Sequence, residues 1–197
     1  MLMTTIFWII ISFFCGALPF SVWVGQVALR RDIRTYGDGN PGAANVFRAG
    51  NKKWGVLAIL LDGFKGAIPV GIAHYLVGLD GWGLTAVALA PIIGHAFSPF
   101  LRFRGGKALA VTFGVWLGLT SWIGPTALGL SFAFWLWLLT VEGWAVTAGM
   151  LTFLVVPVFL PGGWPLLAVW LGNFVILVWK HREDLRKKVG IRPLQQK

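Results

Sequence analysis

The chain has 197 residues, of which 57% are apolar and only 12% charged, and it carries a formal net charge of +10. A soluble chain of this size could not bury so much apolar surface and still cover itself with polar groups, so the composition excludes a soluble globular protein. The basic residues fall between apolar runs, which argues against the continuous basic face of a nucleic-acid-binding protein. We therefore predict one integral membrane domain over residues 1–197, in contact with the lipid bilayer and with no nucleic-acid partner.

The first apolar segment covers residues 2–29 and carries no charge. It has no basic region at its start, so we interpret it as a spanning helix rather than as a cleaved signal peptide. A hydrocarbon core about 30 Å thick requires about 20 helical residues, and this segment is long enough to cross it with a tilt.

The apolar stretches after it cover residues 54–77, 82–101, 108–141 and 143–179. The last two are too long for one helix each, and Gly and Pro near residues 121–125 and 161–165 predict a turn within each. We therefore predict an all-α, polytopic bundle of seven transmembrane helices. Because the segments 108–120 and 164–179 are short, a five-span arrangement with re-entrant hairpins stays open.

Positive charge is concentrated on one face of this predicted bundle. Sixteen of the 17 Lys and Arg residues fall in residues 30–53, 102–107, 142–143 and the tail after 179. None falls in the loops on the other face, at residues 78–81, 121–125 and 161–165. The exception, Lys65, lies within the second span. Since cytoplasmic loops of membrane proteins are enriched in Lys and Arg, we predict an N-terminus outside and a C-terminus in the cytoplasm.

The first polar segment, residues 36–48, has the sequence YGDGNPGAANVFR. Gly37, Gly39 and Gly42 satisfy a G-x-G-x-x-G pattern, but dinucleotide binding requires a preceding strand and a βαβ unit, which this sequence does not predict. Glycines still allow backbone N–H groups to approach an anion closely, and a helix beginning near Ala43 would direct its positive end towards it. The alternative is an ordinary membrane loop rich in turn residues.

The second polar segment runs from Gly94 to Lys107, with the sequence GHAFSPFLRFRGGK. It is not a Walker A motif, because Leu101 stands where that motif has its first glycine and Ala108 follows the lysine. Gly-Gly-Lys in front of an apolar helix is nevertheless a second place where amides and a cation could hold a phosphate. The alternatives are a positively charged topology anchor and, for His95, a structural hydrogen bond to a neighbouring helix.

The third polar segment is KHRED, at residues 180–184. Basic residues at a helix exit account for Lys180 and Arg182 but leave His181 unexplained. The three segments would meet on the inner face in a pocket of Arg, Lys, His, Asn and glycine amides. Such a pocket would bind an anion, and of the common anions a phosphate fits it best. It would lie beside a hydrophobic bundle that can hold an acyl chain. No metal or cofactor is predicted.

Two ionisable residues lie within the second predicted span. Asp62 and Lys65 are three residues apart on one helix, so we predict that they neutralise each other. Such groups are costly inside a membrane and are usually functional, but a structural pair explains this one. His74 and Glu142 have no evident partner, and no role is assigned to them.

These segments, in this order, resemble the bacterial acyl-phosphate:glycerol-3-phosphate acyltransferase family. Its motifs G-S-G-N-x-G-A-T-N-V-x-R and G-H-x-F-x-x-F-x-x-F-x-G-G-K-G are similar to residues 37–48 and 94–108. Its G-S-I-P-F, L-D-x-x-K-G and R-H-R-x-N are similar to residues 16–20, 61–66 and 180–184. The resemblance extends over nearly the whole chain.

Several positions depart from the pattern of that family. They are Asp38 in place of Ser, Ala44 in place of Thr, Ala108 in place of the final Gly, Lys180 in place of Arg, and Asp184 in place of Asn. The family also often has a Ser-rich segment with an Arg after the fifth helix. Here residues 141–147 read VEGWAVT, and no residue is assigned from that region.

The resemblance implies transfer of a fatty acyl group from acyl phosphate to the 1-hydroxyl of sn-glycerol 3-phosphate, giving lysophosphatidic acid and phosphate in the first step of phospholipid synthesis. It implies an enzyme of the bacterial cell inner membrane, with its active site on the cytoplasmic face. The residues it assigns to catalysis are Lys107, His181, Asn45 and His95. The residues it assigns to substrate and phosphate binding are Gly37, Asp38, Gly39, Asn40, Gly42, Ala43, Arg48, Ser98, Gly105, Gly106 and Arg182.

The acyl phosphate donor that this resemblance implies agrees with the absence of a thioester-type motif from the sequence. Acyltransferases with thioester donors often carry H-x-x-x-x-D, whereas Phe100 stands at the acidic position after His95. An acyl phosphate is already activated, so direct attack by the glycerol hydroxyl is the favoured route. The competing class is a transporter of an anionic metabolite, which often has an internal repeat and polar residues at the membrane midplane. We find no repeat, and the charges gather on one face.

Overall fold

The structure, a computed structural model, describes residues 1–192. Within this range the regular secondary structure is helical apart from one isolated β-bridge, between Leu139 and Ile191. Its α-helices in chain order are α1 (Leu2–Ala17), α2 (Phe20–Ala28), α3 (Ala43–Ala49), α4 (Lys52–Gly71), α5 (Gly81–Ala96), α6 (Leu109–Thr120), α7 (Ile123–Leu138), α8 (Glu142–Phe153), α9 (Val155–Phe159), α10 (Gly163–Lys180) and α11 (Arg182–Leu185). The all-α prediction is confirmed.

Helical stretches that are long and apolar enough to cross a bilayer are Leu2–Ala28, Lys52–Leu76, Gly81–Leu101, Glu142–Phe159 and Gly163–Lys180. The last of these is longer than the sequence led us to expect. Helices α6 and α7 are apolar but have only 12 and 16 residues. At 1.5 Å per residue they are about 18 and 24 Å long, less than the core thickness of about 30 Å. The membrane class is thus confirmed with five candidate spans in the described residues, and the count of seven depends on α6 and α7.

The two predicted turns within the long apolar stretches lie where Gly and Pro occur. Helix α6 ends at Thr120 and α7 begins at Ile123, while α9 ends at Phe159 and α10 begins at Gly163. Each following helix has a proline in its first turn, where the missing N–H breaks no helical hydrogen bond. Residues 108–141 and 143–179 therefore each form more than one helix, as predicted.

The first apolar segment is interrupted, which the sequence analysis did not predict. Helix α1 ends at Ala17, and Leu18 takes an extended conformation with ψ 124° before Pro19. The ring of a proline disfavours helical geometry in the preceding residue and removes one backbone donor. The carbonyl groups freed at this break accept hydrogen bonds from other helices: that of Ala17 from Ser98 and that of Leu18 from Lys65.

Glycines allow the central helices to approach one another closely. A Cβ added to Gly114 of α6 would lie 1.8 Å from the carbonyl oxygen of Gly63 in α4. A Cβ added to Gly94 of α5 would lie 2.2 Å from the carbonyl oxygen of Phe13 in α1. Small residues at such crossings are typical of membrane helices, whose association depends on close packing. These two contacts join α6 to α4 and α5 to α1.

The loops that carry the three polar segments are joined at one end of this bundle, which we call the loop end. Lys180, at the last position of α10, donates to the carbonyl oxygens of Ala96 (3.0 Å) and Gly105 (2.8 Å). Further along the tail, the N–H of Thr140 donates to the carbonyl of Gly190 at 3.0 Å. The structure therefore brings the second and third polar segments together, as their predicted topology requires.

Candidate active site

The first polar segment folds back on itself through two glycines in left-handed conformations. Gly37 has a φ of +57° and Gly39 a φ of +71°. A Cβ at Gly37 would lie 2.5 Å from Oδ1 of Asn45 and 2.6 Å from Nη1 of Arg48, so this glycine makes room for both side chains. Helix α3 begins at Ala43, as the sequence predicted.

Asn45 holds this loop in its conformation. Its side chain is buried, and its Nδ2 donates to Oδ1 of Asp38 at 3.1 Å and to the carbonyl of Asn40 at 2.9 Å. Its Oδ1 accepts a hydrogen bond from Nη1 of Arg48 at 2.7 Å. The same Nη1 lies 3.7 Å from Oδ1 of Asp38. Asn45 therefore orients a carboxylate and a guanidinium towards the same space.

The second polar segment packs its glycines against a buried histidine. The N–H of Gly106 donates to the carbonyl of His95 at 3.1 Å, so this amide is engaged within the fold. A Cβ at Gly106 would lie 2.3 Å from Nε2 of His95, and one at Gly105 would lie 1.9 Å from the His95 carbonyl oxygen. The glycines here permit a close turn that presents Lys107 at the start of α6.

Lys107 joins the first and third polar segments. Its Nζ lies 2.9 Å from Oδ2 of Asp38 and 2.8 Å from Oδ2 of Asp184. Lys187 contacts the other oxygen of Asp184 at 2.5 Å. Burial would raise the pKa of Asp184, but the hydrogen bonds from the two lysines outweigh it and lower this pKa to about 2.

The other two members of this cluster remain ionised as well. Burial alone would raise the pKa of Asp38, but the hydrogen bond from Lys107 and those from Asn40 and Asn45 lower it. Burial alone would lower the pKa of Lys107, whereas its hydrogen bonds to Asp184 and Asp38 raise it. At neutral pH the cluster is therefore one ammonium between two carboxylates.

Two cavities meet at this cluster. The apolar cavity has a volume of about 320 Å³ and is lined by Asp38, Asn40, Gly42, Ala43, Ala44, Phe47, Arg48, Ile59, Asp62, His95, Lys107, Ala108, Leu109, Ala110, Phe113 and Glu142. The polar cavity has a volume of about 490 Å³ and is lined by Asp38, Gly39, Asn40, Pro41, Phe97, Phe103, Arg104, Gly105, Lys107, Trp179, Lys180, Arg182, Glu183, Asp184 and Lys187. Lys107, Asp38 and Asn40 border both cavities.

Most of the residues expected in the site line one of these cavities. Those that do are Lys107, His95, Asp38, Gly39, Asn40, Gly42, Ala43, Arg48, Gly105 and Arg182. Those that do not are His181, Asn45, Gly37, Ser98 and Gly106. Ser98 is buried and donates to the carbonyl of Ala17 at 2.6 Å, so it joins the loop end to α1.

His181 lies behind the cavities rather than at their surface. Its Nδ1 donates to the carbonyl of Leu177 at 2.8 Å, because a carbonyl oxygen can only accept. Its buried Nε2 has no hydrogen-bond partner among residues 1–192 and lies 3.9 Å from Oε1 of Glu142. Burial lowers the pKa of His181, so the ring is neutral at pH 7.

Two residues of the site were not assigned from the sequence. Glu142, at the start of α8, lines the apolar cavity, and Asp184 contacts Lys107. Glu142 is the one charged residue between Lys107 and Lys180 in the sequence, and that isolation was an available signal. Asp184 was visible only as a departure from a motif, and its contact with Lys107 required the fold.

Comparison with known proteins gives close relatives over almost the full chain. The glycerol-3-phosphate acyltransferase of Maridesulfovibrio salexigens is 39% identical over 188 residues, covering 94% of this chain and 93% of the relative. Glycerol-3-phosphate acyltransferase 1 of Thermotoga maritima is 38% identical over 201 residues, covering 94% and 98%. Both alignments include all three polar segments.

Solved structures of similar fold come from PlsY (YgiH), an integral membrane glycerol 3-phosphate acyltransferase. Its glycerol 3-phosphate form superposes with a TM-score of 0.83 at 29% identity, covering 92% of this chain and 90% of that one. Its lysophosphatidic acid form gives a TM-score of 0.81 at 28% identity, covering 92% and 89%. The family described as glycerol-3-phosphate acyltransferase matches residues 6–189, and this chain therefore belongs to that family.

Proposed function

We propose that this membrane enzyme transfers a fatty acyl group from acyl phosphate to the 1-hydroxyl of glycerol 3-phosphate. The products are lysophosphatidic acid and inorganic phosphate. The relatives named as glycerol-3-phosphate acyltransferases, and the PlsY forms named for glycerol 3-phosphate and lysophosphatidic acid, support the acceptor and the product. The donor is inferred from the motifs described above and from the cavities of this chain.

The position of Lys107 between the two cavities is the observation that carries this proposal. The apolar cavity has a wall that includes Phe47, Leu109 and Phe113, which suits an acyl chain. The polar cavity has Arg182 and Lys180 on its wall, which suits a small hydrophilic anion. A reaction between a lipid-soluble donor and a water-soluble acceptor has to take place where such cavities meet, and Lys107 is there.

The reaction requires little covalent chemistry from the protein. The 1-hydroxyl oxygen of glycerol 3-phosphate attacks the acyl carbonyl carbon and forms the ester bond, while the bond from that carbon to the phosphate oxygen breaks. Phosphate departs with the bonding electron pair, and the hydroxyl proton ends on it, giving hydrogen phosphate. Lys107, which borders both cavities, binds the phosphate of the acceptor and neutralises the charge that develops on the departing phosphate, and Arg48 binds a phosphate at the wall of the apolar cavity. Asn45 acts as a positioning residue, since it contacts Arg48 and Asp38 but neither cavity.

A direct assay tests the reaction. Purified protein in detergent, supplied with palmitoyl phosphate and glycerol 3-phosphate, should form lysophosphatidic acid and release phosphate. Acyl-CoA or acyl carrier protein in place of palmitoyl phosphate should give no product, because the sequence lacks the thioester-type motif. Robust turnover with acyl-CoA would contradict the donor assignment, and no turnover with any donor would contradict the function.

We also propose seven spans, an N-terminus outside, and an active site at the cytoplasmic face of the bacterial inner membrane. The distribution of Lys and Arg supports this orientation, because the loop end carries almost all of them. Cysteines introduced at Asp80 or Gly163 should react with an impermeant maleimide added to intact cells. Cysteines at Arg31 or Arg186 should react only after the membrane is opened. Labelling of all four from one side would contradict the orientation.

A further inference from the structure

Lys107 is held by two carboxylates in a site that has to bind anions. Its Nζ lies 2.9 Å from Asp38 and 2.8 Å from Asp184, on opposite polar segments of the chain. Both aspartates stand where the resembled motifs have neutral residues, Ser and Asn. Two departures that are 146 positions apart in the sequence (184 minus 38) therefore converge on one ammonium group.

The charges around this ammonium leave it little capacity for a further anion. A lysine has three N–H donors, and two of them point to Asp38 and Asp184. Lys187 and Arg48 contact the same two carboxylates, so the five side chains together carry a net charge of +1, compared with +3 if residues 38 and 184 were neutral. Glu142 adds a third carboxylate at the wall of the apolar cavity. A substrate phosphate that approaches Lys107 thus meets repulsion that neutral residues would not exert.

Both carboxylates are fixed by contacts other than the one to Lys107. Asp38 accepts hydrogen bonds from the N–H of Asn40 (3.2 Å) and from Nδ2 of Asn45 (3.1 Å). Asp184 accepts a hydrogen bond from Lys187 at 2.5 Å. These contacts would keep the carboxylates in the site after a phosphate takes one N–H of Lys107, so their negative charge continues to act on the ligand.

We propose that Asp38 and Asp184 compete with the phosphate of the acceptor for Lys107 and thereby weaken the affinity of this enzyme for glycerol 3-phosphate. The identity of the acceptor rests on the proposed function, but the competition itself requires only that Lys107 binds a phosphate. The two residues are thus determinants of KM that this chain has in addition to the motif residues it shares with its family.

The test restores the neutral residues of the motif. Asp184→Asn should lower the KM for glycerol 3-phosphate by on the order of tenfold, since two unit charges about 6 Å apart repel by about that factor at an effective dielectric constant of about 40, between that of a protein surface and that of water. Asp38→Ser should lower it in the same direction, and the double variant should lower it further. The control is Asp32→Asn, which removes the same charge from a residue that lines neither cavity and pairs with the exposed Arg34, and it should leave the KM within about twofold.

Binding without the acyl donor separates this proposal from the proposed function. The Kd of inorganic phosphate and of glycerol 3-phosphate, measured by calorimetry on each purified variant, should fall together with the KM. If the wild-type protein shows no turnover but phosphate binds more tightly to Asp184→Asn than to Asp32→Asn, the function is wrong and the competition stands.

An unchanged or higher KM and Kd in Asp184→Asn would overturn the proposal, because the carboxylates would then serve to position Lys107. If Asp38→Ser does not fold, Asp184→Asn decides the question alone, since Asp184 lies in the short helix α11 outside the helical bundle. A thermal unfolding profile of each variant confirms that a folded protein is compared.

Discussion

Two of the lysines that contact aspartates within residues 1–192, Lys65 and Lys107, have different surroundings. Lys65 donates to Oδ1 of Asp62 at 2.6 Å and to the carbonyl of Leu18 at 2.7 Å, and both charged side chains are only 2% exposed. Ser21 donates to the other oxygen of Asp62 at 2.5 Å. Lys107, by contrast, has two carboxylate partners and borders two cavities.

The difference separates a structural ion pair from one that can exchange partners. The Asp62–Lys65 pair has its polar atoms satisfied by groups that belong to the fold, so a ligand could replace them only by opening the bundle. Asp38, with 40% of its side chain exposed, leaves Lys107 accessible from the cavities. In this chain, therefore, the ion pair that can take part in binding is the one whose cation adjoins a cavity.

The largest expected effect comes from breaking the buried pair. Lys65→Met leaves the Asp62 carboxylate buried without a cation, which typically costs about 3–5 kcal/mol in the free energy of unfolding. We expect a large fall in the thermal unfolding temperature in detergent. Replacing both residues, in Lys65→Met with Asp62→Leu, should recover much of this loss. Because Asp62 also borders the apolar cavity, a Lys65→Met protein that keeps its unfolding temperature and loses activity would show that the pair belongs to the site.

The next effect concerns the lysine that adjoins the cavities. Lys107→Ala should lower kcat/KM by at least about tenfold, since a hydrogen bond to a charged group contributes about 1.5–3 kcal/mol. Loss of kcat is expected as well, because this residue neutralises the departing phosphate. Its unfolding temperature should change far less than that of Lys65→Met.

The controls for this variant are Arg186→Ala and Lys188→Ala, which remove the same charge from exposed positions at the loop end. They should change kcat/KM little. If they lower kcat/KM as much as Lys107→Ala does, general attraction of anions to a basic surface explains the activity. Raised ionic strength should then lower the kcat/KM of the wild type and of all the variants alike. A fully active Lys107→Ala would show that Lys107 serves only to anchor the membrane topology.

A smaller effect is expected at Arg48, whose side chain is 48% exposed and hydrogen-bonds to Asn45. Arg48→Ala should raise the KM of one substrate by about tenfold, as expected for a lost charge-assisted contact to phosphate, with kcat nearly unchanged. Steady-state kinetics with each substrate varied in turn measure this. An equal loss in kcat would mean that Arg48 contacts the transition state.

Sequence periodicity and turn residues predicted much of the fold, because hydrophobic length and Gly–Pro breaks act locally. The turns near residues 121–125 and 161–165 and the start of α3 at Ala43 are where the sequence placed them. The break at Leu18 was missed, although Pro19 signalled it, because the apolar run continues through it. The carbonyl of Leu18 that this break frees accepts a hydrogen bond from Lys65, 47 positions away, and such a contact leaves no local pattern in the sequence.

The site was predicted in composition but not in arrangement. Motif residues in three loops pointed to one phosphate site, and the structure gathers them at the loop end. Burial was not predictable from a motif: His181 and Asn45 match their motifs but lie behind the cavities, while Glu142 matches none and lines one. That Asp38 and Asp184 both contact Lys107 depends on where the fold places α11 and the loop of residues 36–42 relative to the start of α6.

The smallest expected effect is a pH dependence, and it tests whether Asp184 is ionised and paired. Its pKa is lowered from 3.8 to about 2 in the folded protein, against the effect of burial, by hydrogen bonds from Lys107 and Lys187. A folded-state pKa below the unfolded value means that the contribution to the free energy of unfolding is complete above about pH 5 and is lost as the pH falls through the folded value.

Asp184→Asn should therefore unfold at a slightly lower temperature than the wild type, by a difference worth about 1 kcal/mol or less, and this difference should be equal at pH 8 and pH 5. Below about pH 4 the difference should shrink, because the carboxylate of the unfolded wild-type chain then takes up a proton more readily than that of the folded protein, which stabilises the unfolded state. A difference that already vanishes between pH 7 and pH 5 would show that Asp184 does not pair with the lysines, and Lys107 would then be free to bind substrate without competition from this carboxylate.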